Sequence, residues 1–142
     1  MQKARVLFLG TRNTGRSQMA EALLRRQAGD RYESYSAGIE PDEAINPYTR
    51  LVMEEVGLEL GEQRPKNVSE YLGRVHFGYV ITVCDWAEQN CPTTFMGISK
   101  RLHWALEDPL KYHGSEAETL AKFREVRDAI DAEIRGWMEQ QA

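Results

Sequence analysis

The stretch ARVLFLGTRNTGRSQMAEALLRRQA, residues 4–28, decides the fold. Its run RVLFL, at 5–9, is almost continuously apolar, as expected of a strand buried on both faces of a parallel sheet. The segment QMAEALLRRQA, at 18–28, carries an apolar stripe with helical spacing. Between them, GTRNTGRS at 10–17 predicts a short loop leading from a strand into a helix. Loops of this kind often hold phosphate groups.

The helix after this loop has recognisable end signals. Ser17 is predicted as its N-cap, with Glu21 one turn further on. Gly29 and Asp30 are expected to end it.

Strands and helices alternate along the rest of the chain. Further strands are predicted at 31–38, 76–84 and 100–106, and further helices from Asn46–Pro47 to Gly57, over 67–74 and from Ser115 onward. The last helix is the clearest, because apolar residues recur at three- and four-residue steps: Leu120, Phe123, Val126, Ile130, Ile134 and Trp137. The stripe and the pair His103–Trp104 are expected in the core, and 86–99 is expected to be a loop.

This alternation predicts an α/β fold, with a four-stranded parallel sheet between two layers of helices, in one domain over residues 1–142. Ligands of such sheets bind at the carboxyl ends of the strands, near a change in strand order. Three features fall at such ends: the loop 10–17, Cys84 and Asp108.

The bulk composition excludes several functions. The 142 residues include 18 basic and 22 acidic side chains, a formal net charge of -4, which argues against non-specific binding to nucleic acid or membrane surfaces. No apolar run is long enough to span a membrane, and the first ten residues are too strand-like for a signal peptide, so a cytoplasmic location is expected. Two cysteines cannot form a disulfide scaffold, and the three histidines show no metal-ligand spacing to them. We therefore predict no metal and no cofactor.

The loop itself has the chemistry of an anion site. Where it enters the helix, unpaired backbone N–H groups and the positive end of the helix dipole are expected. Gly10 and Gly15 would allow positive φ angles and a close approach of an anion to the backbone. Arg16 can hold a tetrahedral oxyanion through two parallel hydrogen bonds.

Other loop residues have a supporting or an undecided role. Asn13 tolerates a left-handed conformation and can brace the loop through its side chain. Arg12 either adds a second positive charge or points into solvent. The alternative for the whole loop is an ordinary strand-to-helix turn, with Ser17 as cap and two solvated arginines.

Six segments resemble, in order and spacing, the low-molecular-weight protein tyrosine phosphatases, and within them the thioredoxin-coupled arsenate reductases. These segments are VLFLGTRNTGRSQMAEALLR (6–25), SAGIEP (36–41), NPYTRLVMEEVGLEL (46–60), QRPKNVSEYL (63–72), YVITVCDWAEQNCP (79–92) and LHWALEDP (102–109). The resemblance covers nearly the whole chain and implies that family's fold.

The resemblance implies a role for several residues. Arg16 matches the arginine that grips the oxyanion, while Asn13 and Ser17 match the bracing asparagine and the hydroxyl that stabilises the catalytic thiolate. Asp108, followed by Pro109, matches the general acid. Cys84 and Cys91 match the pair that passes a disulfide to the surface, where thioredoxin reduces it.

One departure changes the expected function. The family's nucleophilic cysteine position is Gly10, and the chain has no cysteine before Cys84. Gly15 stands where many such reductases have cysteine, and Arg12 where glycine is usual. Both family reactions begin with attack by a thiolate. Thr11 and Thr14 are poor substitutes, because an alcohol needs an adjacent base and the loop has no histidine or carboxylate.

The sequence therefore favours an arsenate reductase-like pseudo-enzyme of the kind that serves as a sensor or carrier, holding phosphate or arsenate in residues 10–17 (Gly10, Thr11, Arg12, Asn13, Thr14, Gly15, Arg16 and Ser17) without covalent catalysis. One alternative is an active arsenate reductase or tyrosine phosphatase that uses Cys84 and Cys91, or an external thiol. Another is a thiol-switch interaction module built on the same two cysteines. For Cys84, a simply buried side chain also remains open.

Overall fold

Four parallel strands form the centre of the molecule. In the computed structural model, which describes residues 3–84 and 100–141, they are β1 (Ala4–Gly10), β2 (Tyr32–Gly38), β3 (Tyr79–Thr82) and β4 (Lys100–His103). Their order across the sheet is β2-β1-β3-β4, and every neighbouring pair is parallel. Since β2 pairs with one edge of β1 and β3 with the other, the strand order changes direction at β1. The predicted four-stranded parallel sheet is confirmed.

Three α-helices belong to the described part of the chain: α1 (Arg16–Ala28), α2 (Pro47–Glu54) and α3 (Glu116–Gln140). Asn46 caps α2 through its side chain, and Ser115 and Glu118 form a capping box at the start of α3. α2 ends at Glu54, before the stop predicted at Gly57, and Gly57, at φ +80°, lies in the turn that follows the helix. No helix within the described residues is long and apolar enough to cross a membrane.

Several element boundaries differ from the prediction. α1 begins at Arg16, its N-cap is Gly15, and no side chain caps it. Ser17 therefore lies inside the first turn, where its hydroxyl accepts a hydrogen bond from the Asn13 side chain. The predicted Ser17 cap was wrong, because the loop's own conformation already engages that hydroxyl.

Other segments are shorter than their patterns indicate. The segment predicted as a helix over 67–74 holds a 3-10 helix of three residues, Val68–Glu70. A second 3-10 helix is Pro109–Lys111. β3 and β4 pair over four residues each. The apolar runs that predicted them extend beyond this ladder into loop. The loop predicted at 86–99 lies outside the described residues.

The core occupies both faces of the sheet. β1 is buried on both sides: Phe8 packs with α1 and α3, while Leu7 and Leu9 pack against Phe77 and Val80 on the opposite face. From the stripe of α3, the described structure buries Phe123, Val126, Ile130, Ile134 and Trp137, with Leu120 packed partly buried against them. Trp104 is buried as predicted, whereas His103 is exposed, because it ends the edge strand β4.

Candidate anion site at the carboxyl edge of the sheet

The loop 10–17 lies at the carboxyl end of β1, where the strand order changes. It forms one wall of a cavity of about 1000 Å³, and the segment after β4 forms the opposite wall. Among described residues the lining is Gly10–Ser17, Val83, Cys84, 105–108 and 110–113. The structure thus brings the loop, Cys84 and Asp108 into one cavity. Tyr112 and His113 also line it, and the side chain of His113 is exposed.

The carbonyls of loop residues 10–15 all accept hydrogen bonds from residues outside the loop. Gly10, Thr11, Arg12 and Thr14 accept from the amides of Ile39, Glu40, Asp42 and Asn46, Gly15 accepts from Met19 N, and Asn13 accepts from the Gln18 side chain. The amides of residues 11–17 donate to no acceptor among the described residues. In a trans peptide the carbonyl and the following N–H point in opposite directions. Each unpaired N–H group therefore points away from the carbonyl before it, which is already hydrogen-bonded. A row of unpaired N–H groups of this kind resembles an anion-binding nest.

Arg16 extends from the first turn of α1 across the cavity. Its Nη1 donates to the carbonyl of Leu106 at 2.9 Å, and its Nη2 lies 3.4 Å from Oδ2 of Asp108. The two side chains are 14% and 20% exposed, so the ion pair is largely shielded from water. A guanidinium in this position has further N–H groups for an oxyanion.

Asp108 is held in place by the chain that follows it. Its Oδ1 accepts a hydrogen bond from the backbone N–H of Leu110 at 3.0 Å, as the N-cap of the 3-10 helix Pro109–Lys111. Pro109 at the first helical position favours this turn. One carboxylate oxygen is thus fixed by the backbone, and the other faces Arg16.

Asn13 braces the loop. It has φ +58° and is 2% exposed. Its Nδ2 donates to the hydroxyls of Ser17 at 2.8 Å and Ser36 at 3.0 Å, and its Oδ1 accepts from Lys66 N at 2.9 Å. The left-handed residue of this loop is therefore Asn13. The positive φ angles expected at Gly10 and Gly15 are absent, because Gly10 is the last ladder residue of β1 and Gly15 adopts φ -134°.

Behind Asn13 lies a buried carboxylate that the sequence reasoning missed. The hydroxyl of Ser36 donates to Oε1 of Glu21 at 2.6 Å, and Arg25 forms an ion pair with the same carboxylate. Nζ of Lys66 lies 3.9 Å from Oε1, and burial lowers the pKa of this ammonium, an effect that the charge of Glu21 opposes. The signal available in the sequence was the position of Glu21 between two alanines, Ala20 and Ala22, in a helix with an apolar stripe, since a carboxylate buried there requires partners.

Two further predicted residues occupy the cavity in different ways. Cys84 is buried just beyond β3, and its Sγ lies 2.9 Å from the hydroxyl of Thr11. Arg12 is exposed, with Nη1 3.4 Å from the carbonyl of Glu40. Cys91 lies outside the described residues. Among residues 3–84 and 100–141, no three His, Cys, Asp or Glu side chains are grouped to hold a metal ion.

Gly10 leaves room at the base of the loop. A Cβ atom built on it would lie 3.2 Å from Oγ of Ser17 and 3.7 Å from Cγ2 of Val83. The first contact requires the Ser17 hydroxyl to shift by a few tenths of an ångström, whereas the second is an ordinary van der Waals contact. A Cβ at Gly15 would meet only Thr49 Oγ1, at 3.8 Å.

Comparison with known proteins decides the family. Residues 5–142 match the model of the low molecular weight phosphotyrosine protein phosphatases. The chain belongs to this family. It is 37% identical over 139 residues to an arsenate reductase of Halalkalibacterium halodurans, with 98% of each chain covered.

Solved structures of the low molecular weight phosphatase fold resemble this chain along its length. An arsenate reductase in the phosphate binding state superposes with a TM-score of 0.80 at 25% identity, over 98% of this chain and 99% of that one. A thioredoxin-dependent arsenate reductase of Corynebacterium glutamicum gives a TM-score of 0.73 at 28% identity, over 97% of this chain and 61% of that one. The family and its fold, as inferred from the sequence, are thereby confirmed.

Proposed function

We propose that this member of the family binds a tetrahedral oxyanion, phosphate or arsenate, in the loop 10–17 without covalent cysteine catalysis. The observation that carries the proposal is the loop backbone, whose carbonyls are engaged outside the loop while the amides of residues 11–17 have no acceptor among the described residues. Unpaired amides in a cavity favour a ligand that accepts several hydrogen bonds. A solved relative in its phosphate binding state has the same fold.

The residue at the base of the loop argues against covalent chemistry. Gly10 has no side chain, and the described loop residues supply hydroxyls but no thiol. Removing a covalent nucleophile reduces turnover by about 10⁴- to 10⁶-fold. It also removes a thiolate that would repel a bound anion. The loop has groups for binding and lacks a thiol of its own that could attack.

Titration calorimetry with phosphate and with arsenate tests the proposal. We expect both to bind, and we expect Arg16→Ala to weaken binding by at least about tenfold, because a charge-assisted pair of hydrogen bonds is lost. Arg26→Ala is the matched control, since Arg26 also belongs to α1 but donates to the carbonyl of Val56, away from the cavity. Absence of binding at millimolar phosphate and arsenate in the folded protein would overturn the proposal.

A second candidate function is arsenate reduction by another thiol, and the contact between Cys84 and Thr11 favours it. Because Sγ of Cys84 lies 2.9 Å from a loop hydroxyl, a thiol is present beside the oxyanion cradle. Its thiolate would attack arsenic, forming a sulfur–arsenic bond while one arsenate oxygen leaves as water. A second thiol, from Cys91 or a small external thiol, would then attack this sulfur. The disulfide forms, the sulfur–arsenic bond breaks, and its electron pair reduces arsenic to arsenite.

The two candidates differ in what they consume. The reductase predicts arsenite release with loss of one reductant dithiol per turnover, and thioredoxin would supply it in the manner implied by the family. Cys84→Ser would then abolish the formation of arsenite, whereas phosphate binding would persist. The binding-only function predicts no arsenite from the unmodified chain under the same conditions.

A further inference from the structure

We propose that Asp108 makes this site selective for oxyanions that carry a hydrogen, hydrogenphosphate and hydrogenarsenate, over oxyanions of equal charge that carry none. The inference rests on the proposed oxyanion binding and adds which anions the site accepts. It concerns the one carboxylate that, in the described structure, is paired to the anion-gripping arginine.

The position of Asp108 is unusual for an anion site. Its Oδ2 lies 3.4 Å from Arg16, in the same cavity as the unpaired loop amides, while Oδ1 is occupied by the N–H of Leu110. Its side chain is 20% exposed, so water screens its charge only partly. An anion that reaches both Arg16 and the loop therefore comes close to a fixed negative oxygen.

Hydrogen-bond chemistry determines which anions tolerate that neighbour. The loop amides and the guanidinium are donors, and a carboxylate is an acceptor with no hydrogen to give. Hydrogenphosphate can donate its O–H to Oδ2 while its other oxygens accept from the loop. Sulfate and the dianion of a methyl phosphate ester have acceptors alone, so they would place an unprotonated oxygen against the carboxylate. Juxtaposing two acceptors of like charge lowers affinity, as does leaving a hydrogen-bonding group of the site unpaired.

The test compares anions of equal charge. Calorimetry near pH 8, where monoesters are dianions because their second pKa is about 6, would use inorganic phosphate, sulfate and methyl phosphate as probes. We expect phosphate to bind at least about tenfold more tightly than either of the others, the size of one lost hydrogen bond plus an unpaired acceptor. Sulfate differs from hydrogenphosphate both in its central atom and in lacking a hydrogen. Methyl phosphate keeps phosphorus and lacks the hydrogen, so it shows the effect of the missing hydrogen alone.

Substitution assigns the selectivity to one residue. In Asp108→Asn, the side-chain amide can donate, so sulfate and methyl phosphate should bind about tenfold more tightly than in the unmodified chain and the preference for phosphate should disappear. If Asp108 had only a structural role, the substitution would instead lower the affinity for all three anions together. Glu125→Gln is the matched control: it removes the same charge from a carboxylate outside the cavity lining, paired with Lys122 at 3.2 Å, and should leave the ratios unchanged.

The outcomes separate the two proposals. If phosphate binds but sulfate binds equally well, the selectivity is refuted and oxyanion binding stands. If Asp108→Asn keeps the preference for phosphate, another group is responsible and the assignment is refuted. If none of the three anions binds the folded protein, oxyanion binding itself fails, and the selectivity fails with it.

Discussion

Ser36→Ala tests whether the buried network behind the loop holds the loop in shape. The hydroxyl of Ser36 is fully buried, donates to Glu21 at 2.6 Å and accepts from Asn13 at 3.0 Å. Its removal deletes one hydrogen bond to a carboxylate, contributing about 1.5–3 kcal/mol, and one neutral bond, contributing about 0.5–1.5 kcal/mol. We therefore expect the free energy of unfolding to fall by roughly 3 kcal/mol.

Ser34→Ala is the matched control on the same strand. The Ser34 hydroxyl donates to the backbone carbonyl of Glu21 at 2.9 Å and does not reach its carboxylate. Its loss should lower the free energy of unfolding by about 1 kcal/mol. Each variant thus removes one hydroxyl group, at positions two residues apart in β2.

The assay has two readouts. Urea unfolding measures stability, and phosphate titration measures whether Asn13, freed from one partner, still positions the loop. We expect phosphate affinity to fall by about tenfold in Ser36→Ala, because small displacements of positioning groups have large effects on a site, and to stay unchanged in Ser34→Ala. Equal stability losses in the two variants, with unchanged affinity in both, would refute the positioning role of the network.

Three further perturbations follow from particular residues. Gly10→Cys should raise arsenate turnover by about 10⁴-fold or more, measured as arsenite formed with a reductant, because a nucleophile is returned to the loop; no gain in a folded variant would contradict the family alignment at this position. Burial raises the pKa of Tyr71 to about 12. The contribution of Tyr71 to stability is therefore fully present below pH 10, the ordinary pKa of tyrosine, and is lost as pH rises towards 12. Tyr71→Phe should reduce the dependence of the free energy of unfolding on pH in that range, and an unchanged dependence would contradict this prediction. Ile130 is fully buried, so Ile130→Ala should lower the free energy of unfolding by about 2–5 kcal/mol. Leu51 is exposed, so Leu51→Ala should change it by about 0.5 kcal/mol or less. Similar losses in the two variants would contradict the assigned core.

Much of the fold could be predicted because its signals are local. The continuous apolar run at 5–9 indicates a strand buried on both faces, and β1 is that strand. The stripe of α3 indicates which face is buried. The rule that ligands bind at the carboxyl ends of parallel strands predicts that Arg16, Cys84 and Asp108 lie close together, and all three line one cavity.

The contacts inside the loop could not be predicted, because register decides them. Ser36 meets Asn13 and Glu21 only because β2 pairs with β1 so that Ser36 lies beside Phe8. Ser36 and Glu21 are 15 residues apart, and no sequence pattern indicates a contact between them. Ser17 fits the pattern of a helix cap equally well, and the competing donor from Asn13 decides against it.

The backbone conformation of Gly10 likewise depends on strand pairing that the sequence does not contain. Glycine permits a positive φ but does not require it. At Gly10 the ladder with β2 imposes extended backbone, since this residue pairs with Gly38. The left-handed turn falls on Asn13, where three side-chain hydrogen bonds stabilise it.

On the proposed function, the groups that would hold the oxyanion are structurally separable from residue 10, where the family resemblance places the nucleophile. The loop is shaped by its carbonyl partners at Ile39–Asn46 and by Asn13, and none of these contacts passes through a side chain at residue 10. Replacing a cysteine there would leave the unpaired amides and Arg16 in place. A thiolate at that position would repel an anion in the loop, so on the proposed function Gly10 favours binding while it disfavours reaction. On the proposed function, one substitution at residue 10 is therefore enough to remove turnover while the groups that would hold the anion stay in place.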